Sequence, residues 1–331
     1  MTTVLIAGAG LAGARTAETL RSLGFDGRIV LAGDEPHPPY ERPALSKELL
    51  AGKRDNIELR PREHWRRLDI ELRLATRVER VRSHEALVGA ERLHWDHLVV
   101  ATGARPRRDG SLRTLADARR LRAHLAPGVH LVIVGAGFIG CEVASTARTL
   151  GAEVTIVEAD SAPLARIVGG EVGALLAERI RAHGVDLRLG TTEIPPHDVL
   201  LWAVGVDADR RLLPGLRADA CGQTQYPHVY AAGDVTGTGH WTAAAGQAAA
   251  VAHAILGEER PFIDPPYVWS DQFGLRLQLI GDPSNARVVQ LQSHDEAFRA
   301  DYLDATGRPV ATLLANLPSE TAAARRQLAA A

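Results

Sequence analysis

The chain has 331 residues, more than one domain of ordinary size needs, so its length excludes a single small module. Hydrophobic residues make up 46% of the chain and charged residues 24%, a balance typical of a soluble globular protein and not of a disordered or fibrous one. With 38 Lys and Arg residues against 40 Asp and Glu residues, the net charge of -2 provides no general attraction to nucleic acids or membranes.

The two cysteines, Cys141 and Cys221, are too few to form a disulfide framework, and the cysteine and histidine spacing suggests no metal site. No apolar run approaches the roughly 20 residues that cross a bilayer, and residues 1–10 contain no basic leader. We therefore expect a cytoplasmic protein without a metal ion.

Residues 1–35 have the pattern of a βαβ unit. A short apolar run at residues 4–7 is followed by glycines, by apolar residues at helical spacing over residues 11–23, and by a second apolar run at residues 29–32. Such short continuous runs are typical of parallel strands that are covered on both faces. The pattern recurs at residues 131–157, so the sequence predicts two nucleotide-sized α/β folds.

Further elements are predicted between and after these two units. They are a strand pair around residues 72–88, a strand at 98–101, a helix near 172–183, strands at 199–203 and 229–232, and an alanine-rich helix at about 242–256. From residue 261 onward, alternating apolar residues and a final helix indicate a small α+β domain.

Each βαβ unit contains a GxGxxG pattern between its first strand and its helix. The first glycine permits a tight turn, the second lets a pyrophosphate approach the backbone, and the third lets helix and strand pack closely. An acid after the second strand can accept hydrogen bonds from a ribose. One such turn can serve packing alone, but two copies predict two bound dinucleotides. The residues are Gly8, Gly10 and Gly13 with Asp34 and Glu35, then Gly135, Gly137 and Gly140 with Glu158.

The chain resembles flavoproteins of the pyridine nucleotide-disulfide reductase-like superfamily, in the branch of oxygenase-coupled ferredoxin, putidaredoxin and rubredoxin reductases. The motifs that carry this resemblance are GDE at 33–35, PYERP at 39–43, LSK at 45–47, ATGARP at 101–106, GFIGCE at 137–142, AAGD at 231–234, HW at 240–241 and WSDQ at 269–272. The resemblance implies an α/β fold with two Rossmann-like domains, for FAD and NAD, plus a small C-terminal α+β domain. The implied boundaries are 1–106 with 206–258 for FAD, 107–205 for NAD, and 259–331 for the C-terminal domain.

The resemblance also implies which residues bind each cofactor, with Asp234 bonded to the ribityl chain of FAD. The FAD residues are Gly8, Gly10, Leu11, Ala12, Gly13, Asp34, Glu35, Arg42, Lys47, Val78, Ala101, Thr102, Gly103, Gly233, Asp234, Trp241 and Thr242. The NAD residues are Gly135, Gly137, Phe138, Ile139, Gly140, Glu158 and Gly205.

Four residues match catalytic positions of these flavoproteins. Lys47 matches a lysine near flavin N5 that pairs with the acid matched by Glu142, and a cation there would stabilise the negative charge of reduced flavin. Trp241 and Trp269 match tryptophans near the isoalloxazine and at the electron-exit surface. The alternatives are a solvated lysine on a helix at residues 45–50 and indoles that only fill the core. The CxxxxC dithiol of the disulfide-reductase branch is absent from the sequence.

The chain departs from these flavoproteins by being shorter, with losses at residues 108–114, 190–198 and 237–240. At residues 190–198 a β-meander normally crosses the NAD domain. An acid normally precedes Gln247, where this chain has Gly246. FAD binding is therefore better supported than nicotinamide binding.

The leading functional hypothesis is an FAD-dependent, NADH-oxidising reductase that passes electrons to a ferredoxin-type iron–sulfur carrier. NADH is expected over NADPH, because Glu158 would face the 2′-phosphate as a like charge. The alternatives are a compact FAD-dependent oxidoreductase of specialised metabolism acting on a small molecule, and a degenerate flavin-binding interaction protein. We expect no nucleic-acid or membrane partner, and either a monomer or a homodimer.

Overall fold

The computed structural model describes residues 1–294 and 296–329, which form two compact units. The first unit comprises Met1–Glu41, Ile57–Arg105 and Asp207–Asp264. The second comprises Arg42–Asn56, Pro106–Val206 and the described residues of Pro265–Ala331.

The elements are numbered in chain order. The strands are β1 (Thr3–Ala7), β2 (Arg28–Ala32), β3 (Ile70–Arg73), β4 (Val78–Arg82), β5 (Glu85–Val88), β6 (Glu91–His94), β7 (His97–Val100), β8 (Ala104–Pro106), β9 (His130–Val134), β10 (Glu153–Glu158), β11 (Asp186–Leu189), β12 (Val199–Trp202), β13 (Val206–Ala208), β14 (Val229–Ala231), β15 (Tyr267–Gln272), β16 (Leu275–Gly281), β17 (Val288–His294), β18 (Ala297–Leu303) and β19 (Pro309–Ala315). The helices are α1 (Leu11–Ser22), α2 (Arg62–Arg67), α3 (Leu115–His124), α4 (Phe138–Thr149), α5 (Ala165–Ala182), α6 (Trp241–Ile255) and α7 (Thr321–Ala329). Short 3₁₀ helices lie at Arg42–Ser46, Asp234–Thr236, Pro283–Asn285 and Pro318–Glu320.

The first unit is built on a parallel sheet with the strand order β14-β7-β1-β2-β3. Every residue of β1 is buried, because both faces of the sheet are covered. Val4 and Ile6 share one core with residues of α1 and α6, whereas Leu5 and Ala7 share another with the antiparallel sheet β4-β5-β6. The alternation of side chains along a strand therefore explains the continuous apolar run.

The second unit contains a parallel sheet with the order β11-β10-β9-β12 and an antiparallel sheet with the order β15-β16-β19-β18-β17. Residues 190–198 carry no helix or strand, so β11 leads directly to β12 without a meander. Helix α5 packs on the antiparallel sheet, with Val172 and Leu176 in one core with Leu277 and Leu313.

Three sequence predictions need correction. The helix predicted near residues 172–183 starts earlier, at Ala165, and is interrupted at Gly169, whose φ of +81° breaks the helical pattern. The strand pair predicted around residues 72–88 is three strands, β3 to β5. The helix considered for residues 45–50 is a 3₁₀ helix at Arg42–Ser46 that ends just before Lys47.

The second unit contains more of the chain than the predicted NAD domain. Residues 42–56, which the prediction assigned to the FAD domain, lie in this unit, as do the described residues of the C-terminal domain. The division into three domains stays a prediction. None of the helices in residues 1–294 and 296–329 is long and apolar enough to cross a membrane.

Candidate functional site

The first glycine turn follows β1, and packing requires two of its three glycines. A Cβ atom on Gly8, whose φ is +122°, would lie 2.1 Å from the Ala101 carbonyl oxygen, and one on Gly13 would lie 2.0 Å from that of Gly8. A Cβ atom on Gly10 would meet no described atom within 4 Å. Gly10 therefore faces open space, as a backbone that a pyrophosphate approaches must.

The second glycine turn, after β9, repeats this geometry. A Cβ atom on Gly135 would lie 2.5 Å from the Ala203 carbonyl oxygen, and one on Gly140 would lie 2.1 Å from that of Gly135. On Gly137 the nearest described atom would be the Ala203 oxygen, 4.0 Å away. The middle glycine is again the one that the protein itself leaves uncovered.

Both turns lead into helices whose first N–H groups remain available. Leu11 and Ala12 begin α1 after Gly10, and Phe138 and Ile139 begin α4 after Gly137. Within the described part of the chain, no side chain caps either helix. Uncapped N-terminal N–H groups attract anions, so each turn fits one phosphate group.

A cavity of about 300 Å³ opens beside the first turn, within the range of small-molecule sites. Four predicted residues line it, namely Gly8, Asp34, Val78 and Thr102. Eight further lining residues were not predicted from the sequence: Ala7, Ala32, Gly33, Arg77, Glu79, Asp209, Arg211 and Leu212. The GxGxxG, GDE and ATG motifs point to this region in the sequence, but none of them extends to residue 209.

Asp209 and Arg211 form a bidentate ion pair at the cavity. Arg211 donates from Nε to Asp209 Oδ1 at 2.7 Å and from Nη2 to Oδ2 at 2.6 Å, and these bonds lower the pKa of Asp209. The Asp209 backbone is fixed as well, because its N–H donates to the Gly103 carbonyl and its carbonyl accepts from Thr102 Oγ1 at 2.6 Å. The predicted residues Thr102 and Gly103 thus position the unpredicted ion pair.

The two acids after β2 differ in their surroundings. Asp34 is exposed and lines the cavity. Glu35 is half-buried, and its Oε2 accepts a hydrogen bond of 2.7 Å from the Tyr40 hydroxyl. Asp34 is therefore the better placed of the two to accept a ribose hydroxyl.

The AAGD motif passes against the start of α1. Gly233 has a φ of +83°, and a Cβ atom there would lie 2.9 Å from Ala12 Cβ. Its N–H donates to Gln247 Oε1 on α6 at 2.8 Å, and Asp234 then begins a 3₁₀ helix. The motif therefore places Asp234 next to the first glycine turn. Trp241 and Thr242 begin α6, and the half-buried indole packs against the same core as α1.

Lys47 and Glu142 meet in the second unit, as the resemblance implied. Lys47 Nζ lies 2.8 Å from Glu142 Oε1, and the side chains are 12% and 6% exposed. The alternative of a solvated lysine is wrong, because the ammonium group is held by a buried carboxylate.

Two serines complete the surroundings of Glu142. Ser46 Oγ donates to Glu142 Oε2 at 2.5 Å, and Ser270 Oγ donates to Oε1 at 2.7 Å. Gln272 Nε2 in turn donates to Ser270 Oγ at 3.0 Å. All four side chains are buried. One cation and two hydroxyl donors therefore satisfy a carboxylate that burial would otherwise make costly.

The remaining predicted residues of the second unit are Arg42, Trp269 and Gly205. Arg42 Nη1 donates to the Arg113 carbonyl at 2.7 Å. Trp269, on β15, is half-buried and stacks on Tyr267 with ring centroids 6.1 Å apart. Gly205 has a φ of +93°, and its carbonyl accepts from the Arg107 N–H.

Glu158 ends β10 and reaches back to the second glycine turn. Its Oε2 accepts from the Ala136 N–H at 2.6 Å and its Oε1 from the Asp160 N–H at 2.9 Å. A carboxylate oxygen has two lone pairs, so Glu158 can accept further hydrogen bonds while it fixes the turn.

Cys141 is unsuited to thiol chemistry. It is fully buried in α4, its Sγ lies 3.5 Å from the Ala136 carbonyl oxygen, and burial raises its pKa well above the usual range. Only a thiolate is an effective nucleophile, so this residue fills the core. In residues 1–294 and 296–329, no group of three or more His, Cys, Asp or Glu side chains could hold a metal ion.

Two family models match the chain. The model described as pyridine nucleotide-disulphide oxidoreductase matches residues 2–248, and the model described as reductase C-terminal matches residues 267–331. Together they cover both glycine turns and the antiparallel sheet.

Two curated relatives are dioxygenase reductase components. The chain is 36% identical over 370 positions to the ferredoxin–NAD(+) reductase component of the p-cumate 2,3-dioxygenase system of Pseudomonas putida, with 98% of this chain and 92% of that protein covered. It is 35% identical to the corresponding component of the biphenyl dioxygenase system of Paraburkholderia xenovorans (strain LB400), with 85% and 81% covered. The first alignment is longer than this chain of 331 residues, so that relative contains internal segments that this chain lacks.

Among solved structures, the covalent putidaredoxin reductase–putidaredoxin complex matches with a TM-score of 0.93 and 27% identity, over 99% of this chain and 93% of that chain. These matches confirm the predicted fold class and the predicted branch of flavoprotein reductases. The chain belongs to the pyridine nucleotide-disulphide oxidoreductase family and carries the C-terminal domain of its reductases.

Proposed function

We propose that this oxidoreductase holds FAD, oxidises NADH and passes electrons to a ferredoxin-type one-electron carrier. The observation that carries the proposal is the pair of glycine turns with matching geometry, one in each unit, each with a middle glycine that faces open space. Two independent dinucleotide sites fit a resident flavin and a nicotinamide substrate. The relatives named as ferredoxin–NAD(+) reductase components support the same assignment.

The first turn and its cavity are assigned to FAD. The N–H groups at the start of α1 would bind the pyrophosphate, Asp34 the adenosine ribose, and Asp234 the ribityl chain. The same cavity is lined by the apolar side chain of Val78 and by the ion pair of Asp209 with Arg211. Residues 1–106 and 206–258 would form this FAD domain.

The second turn is assigned to NADH, with residues 107–205 as its domain and residues 259–331 as the C-terminal domain. The N–H groups at the start of α4 would bind the pyrophosphate, and Glu158 would accept from the ribose hydroxyls. When bound, FAD accepts a hydride and releases electrons one at a time, which couples a nicotinamide to an iron–sulfur carrier.

Lys47 is assigned an electrostatic role in this reaction. Its ammonium group supplies a positive charge in a buried setting, where such a charge stabilises developing negative charge more strongly than in water. Glu142 holds the ammonium group, and Ser46 and Ser270 hold Glu142. The buried Cys141 is unsuited to a thiol relay, so electrons would leave a bound flavin directly for the carrier.

The experiment has two parts. The purified protein is denatured and the released flavin is identified, with FAD expected because the turn is built for a pyrophosphate. Release of FMN alone would contradict the assignment. NADH oxidation is then followed with ferricyanide and with a ferredoxin. Strong stimulation by ferredoxin supports the proposal, whereas ferricyanide reduction without it favours a small-molecule substrate.

A further inference from the structure

The segment after β10 brings a second acid and a cation next to Glu158. Asp160 Oδ2 accepts from Arg166 Nε at 2.7 Å, and Oδ1 accepts from Nη2 at 3.0 Å. This is a bidentate pair, the geometry in which a guanidinium group also binds a phosphate. Arg166 is 79% exposed and Asp160 31% exposed on their side chains.

The backbone of Asp160 is fixed independently of its side chain. Its N–H donates to Glu158 Oε1, and its carbonyl accepts from the Gly190 N–H at 3.0 Å. A substitution that removes only the carboxylate therefore leaves the loop around Glu158 held in place.

Arg166 lies in the first turn of α5, where a cation is unfavourable because the helix N-terminus carries partial positive charge. The first turn contains no acidic residue of its own. Asp160 supplies the compensating charge, and its hydrogen bonds raise the pKa of Arg166. Without Asp160, an anion from solution or from a ligand would instead compensate the charge of Arg166.

We propose that Asp160 determines cofactor specificity by occupying Arg166, so that the chain carries a latent site for the 2′-phosphate of NADPH. This inference rests on the proposed function of the second unit as the nicotinamide site. Glu158 disfavours the 2′-phosphate directly, and Asp160 occupies the guanidinium group of Arg166, which could otherwise offset this repulsion. In Asp160→Ala, Glu158 and a free Arg166 would leave that end of the site with no net charge.

The test measures binding of 5′-AMP and 2′,5′-ADP to the purified FAD-loaded protein by calorimetry. The variants are Asp160→Ala, the double variant Asp160→Ala with Arg166→Gln, and Asp55→Ala as a control. Asp55 forms a similar exposed pair with Arg122 at 2.7 Å elsewhere in the same unit, so its removal changes the net charge equally.

We expect Asp160→Ala to bind 2′,5′-ADP about tenfold more tightly than the wild type, the gain expected from one charge-assisted hydrogen bond. Binding of 5′-AMP should stay unchanged, and the gain should disappear in the double variant and be absent in Asp55→Ala.

The ratio of kcat/KM for NADPH to that for NADH should rise in parallel. If the affinity for 2′,5′-ADP rose equally in the single and double variants, the role of Arg166 would be overturned. If the affinity did not rise in Asp160→Ala, the role of Asp160 would be overturned. Failure of the wild type to bind 5′-AMP at all would instead contradict the proposed function, and this inference would fail with it.

Discussion

Lys47 Nζ lies 2.8 Å from Glu142 Oε1, in surroundings that leave both side chains largely out of solvent. Glu142 belongs to the helix that the second glycine turn opens, and Lys47 follows a 3₁₀ helix far from it in sequence. The pair therefore ties the segment at residues 42–56 to helix α4 of the second unit.

Replacing Lys47 by Met should slow NADH-driven ferredoxin reduction by at least ~10-fold, because a preorganised charge typically contributes this much or more. Lys53→Met is the matched control, since Lys53 is exposed. Stopped-flow measurements of flavin reduction and of ferredoxin reduction show which of the two steps is slowed. Equal rates in the wild type and Lys47→Met would remove Lys47 from the catalytic machinery.

Ser270→Ala should lower the free energy of unfolding by about 1–3 kcal/mol, because it deprives a buried carboxylate of one hydrogen bond. Denaturant unfolding measures the change. Ser83→Ala, at an exposed position, should leave the stability within about 0.5 kcal/mol of the wild type. A Ser270→Ala protein as stable as the control would mean that the hydroxyl does not support Glu142.

The two glycines of the first turn should respond differently to alanine. Gly10→Ala should fold normally but lose FAD, because its added Cβ would occupy the space where the pyrophosphate approaches and would meet no described protein atom. Gly13→Ala should fail to fold or lose several kcal/mol, since its Cβ would lie 2.0 Å from the Gly8 carbonyl oxygen. Flavin occupancy and thermal unfolding distinguish these outcomes. Full occupancy in Gly10→Ala would argue against a phosphate at this turn.

These contrasts show what the sequence can predict. Both glycine turns could be predicted from local spacing, because the GxGxxG residues lie together in the sequence. The contacts that exclude a side chain at Gly8 and Gly135 could not, since they come from Ala101 and Ala203, far along the chain. The pairing of Lys47 with Glu142 was accessible only through resemblance. The WSDQ motif contains Ser270, but nothing in the sequence shows its bond to Glu142. The two residues are 128 positions apart in the chain and meet through packing between β15 and α4.

Gly246 is a second case in which the sequence alone does not give the structural reason for a residue. The sequence marks it as a departure, with a glycine where an acid is usual. In the structure a Cβ atom on Gly246, within α6, would lie 2.1 Å from the ring of Phe262. The glycine therefore makes room for this aromatic side chain, which follows α6 in the chain. This compensation depends on a contact that no local pattern contains.

His97 should make the stability of the first unit depend on pH. Burial, followed by the neighbouring His228, lowers the pKa of His97 below its usual 6.5, and its Nδ1 is buried without a hydrogen-bond partner among the described residues. The neutral ring is thus favoured in the folded protein. The contribution of the neutral His97 ring to the free energy of unfolding is complete above pH 6.5. It is lost as the pH falls from 6.5 through the lower pKa that His97 has in the folded protein.

Unfolding measured between pH 7 and 5 should therefore show a smaller loss of stability in His97→Gln than in the wild type. His124→Gln serves as the control, because His124 is exposed. Identical pH dependence in all three proteins would show that His97 titrates alike in the folded and unfolded chains.

The wild type should use NADH at least ~10-fold better than NADPH, which corresponds to ~1.4 kcal/mol and is a modest demand on one repulsive contact with Glu158. Measuring kcat/KM for both cofactors checks this. Equal use of the two would place Glu158 away from the ribose.

The central claim is tested most directly by mixing the FAD-loaded protein with NADH and an oxidised ferredoxin under anaerobic conditions, while flavin and iron–sulfur absorbance are recorded. We predict that NADH bleaches the flavin and that the ferredoxin is then reduced repeatedly, at two ferredoxins per NADH because a hydride carries two electrons. A flavin that NADH does not bleach, or one that is bleached while the ferredoxin stays oxidised, would contradict the account.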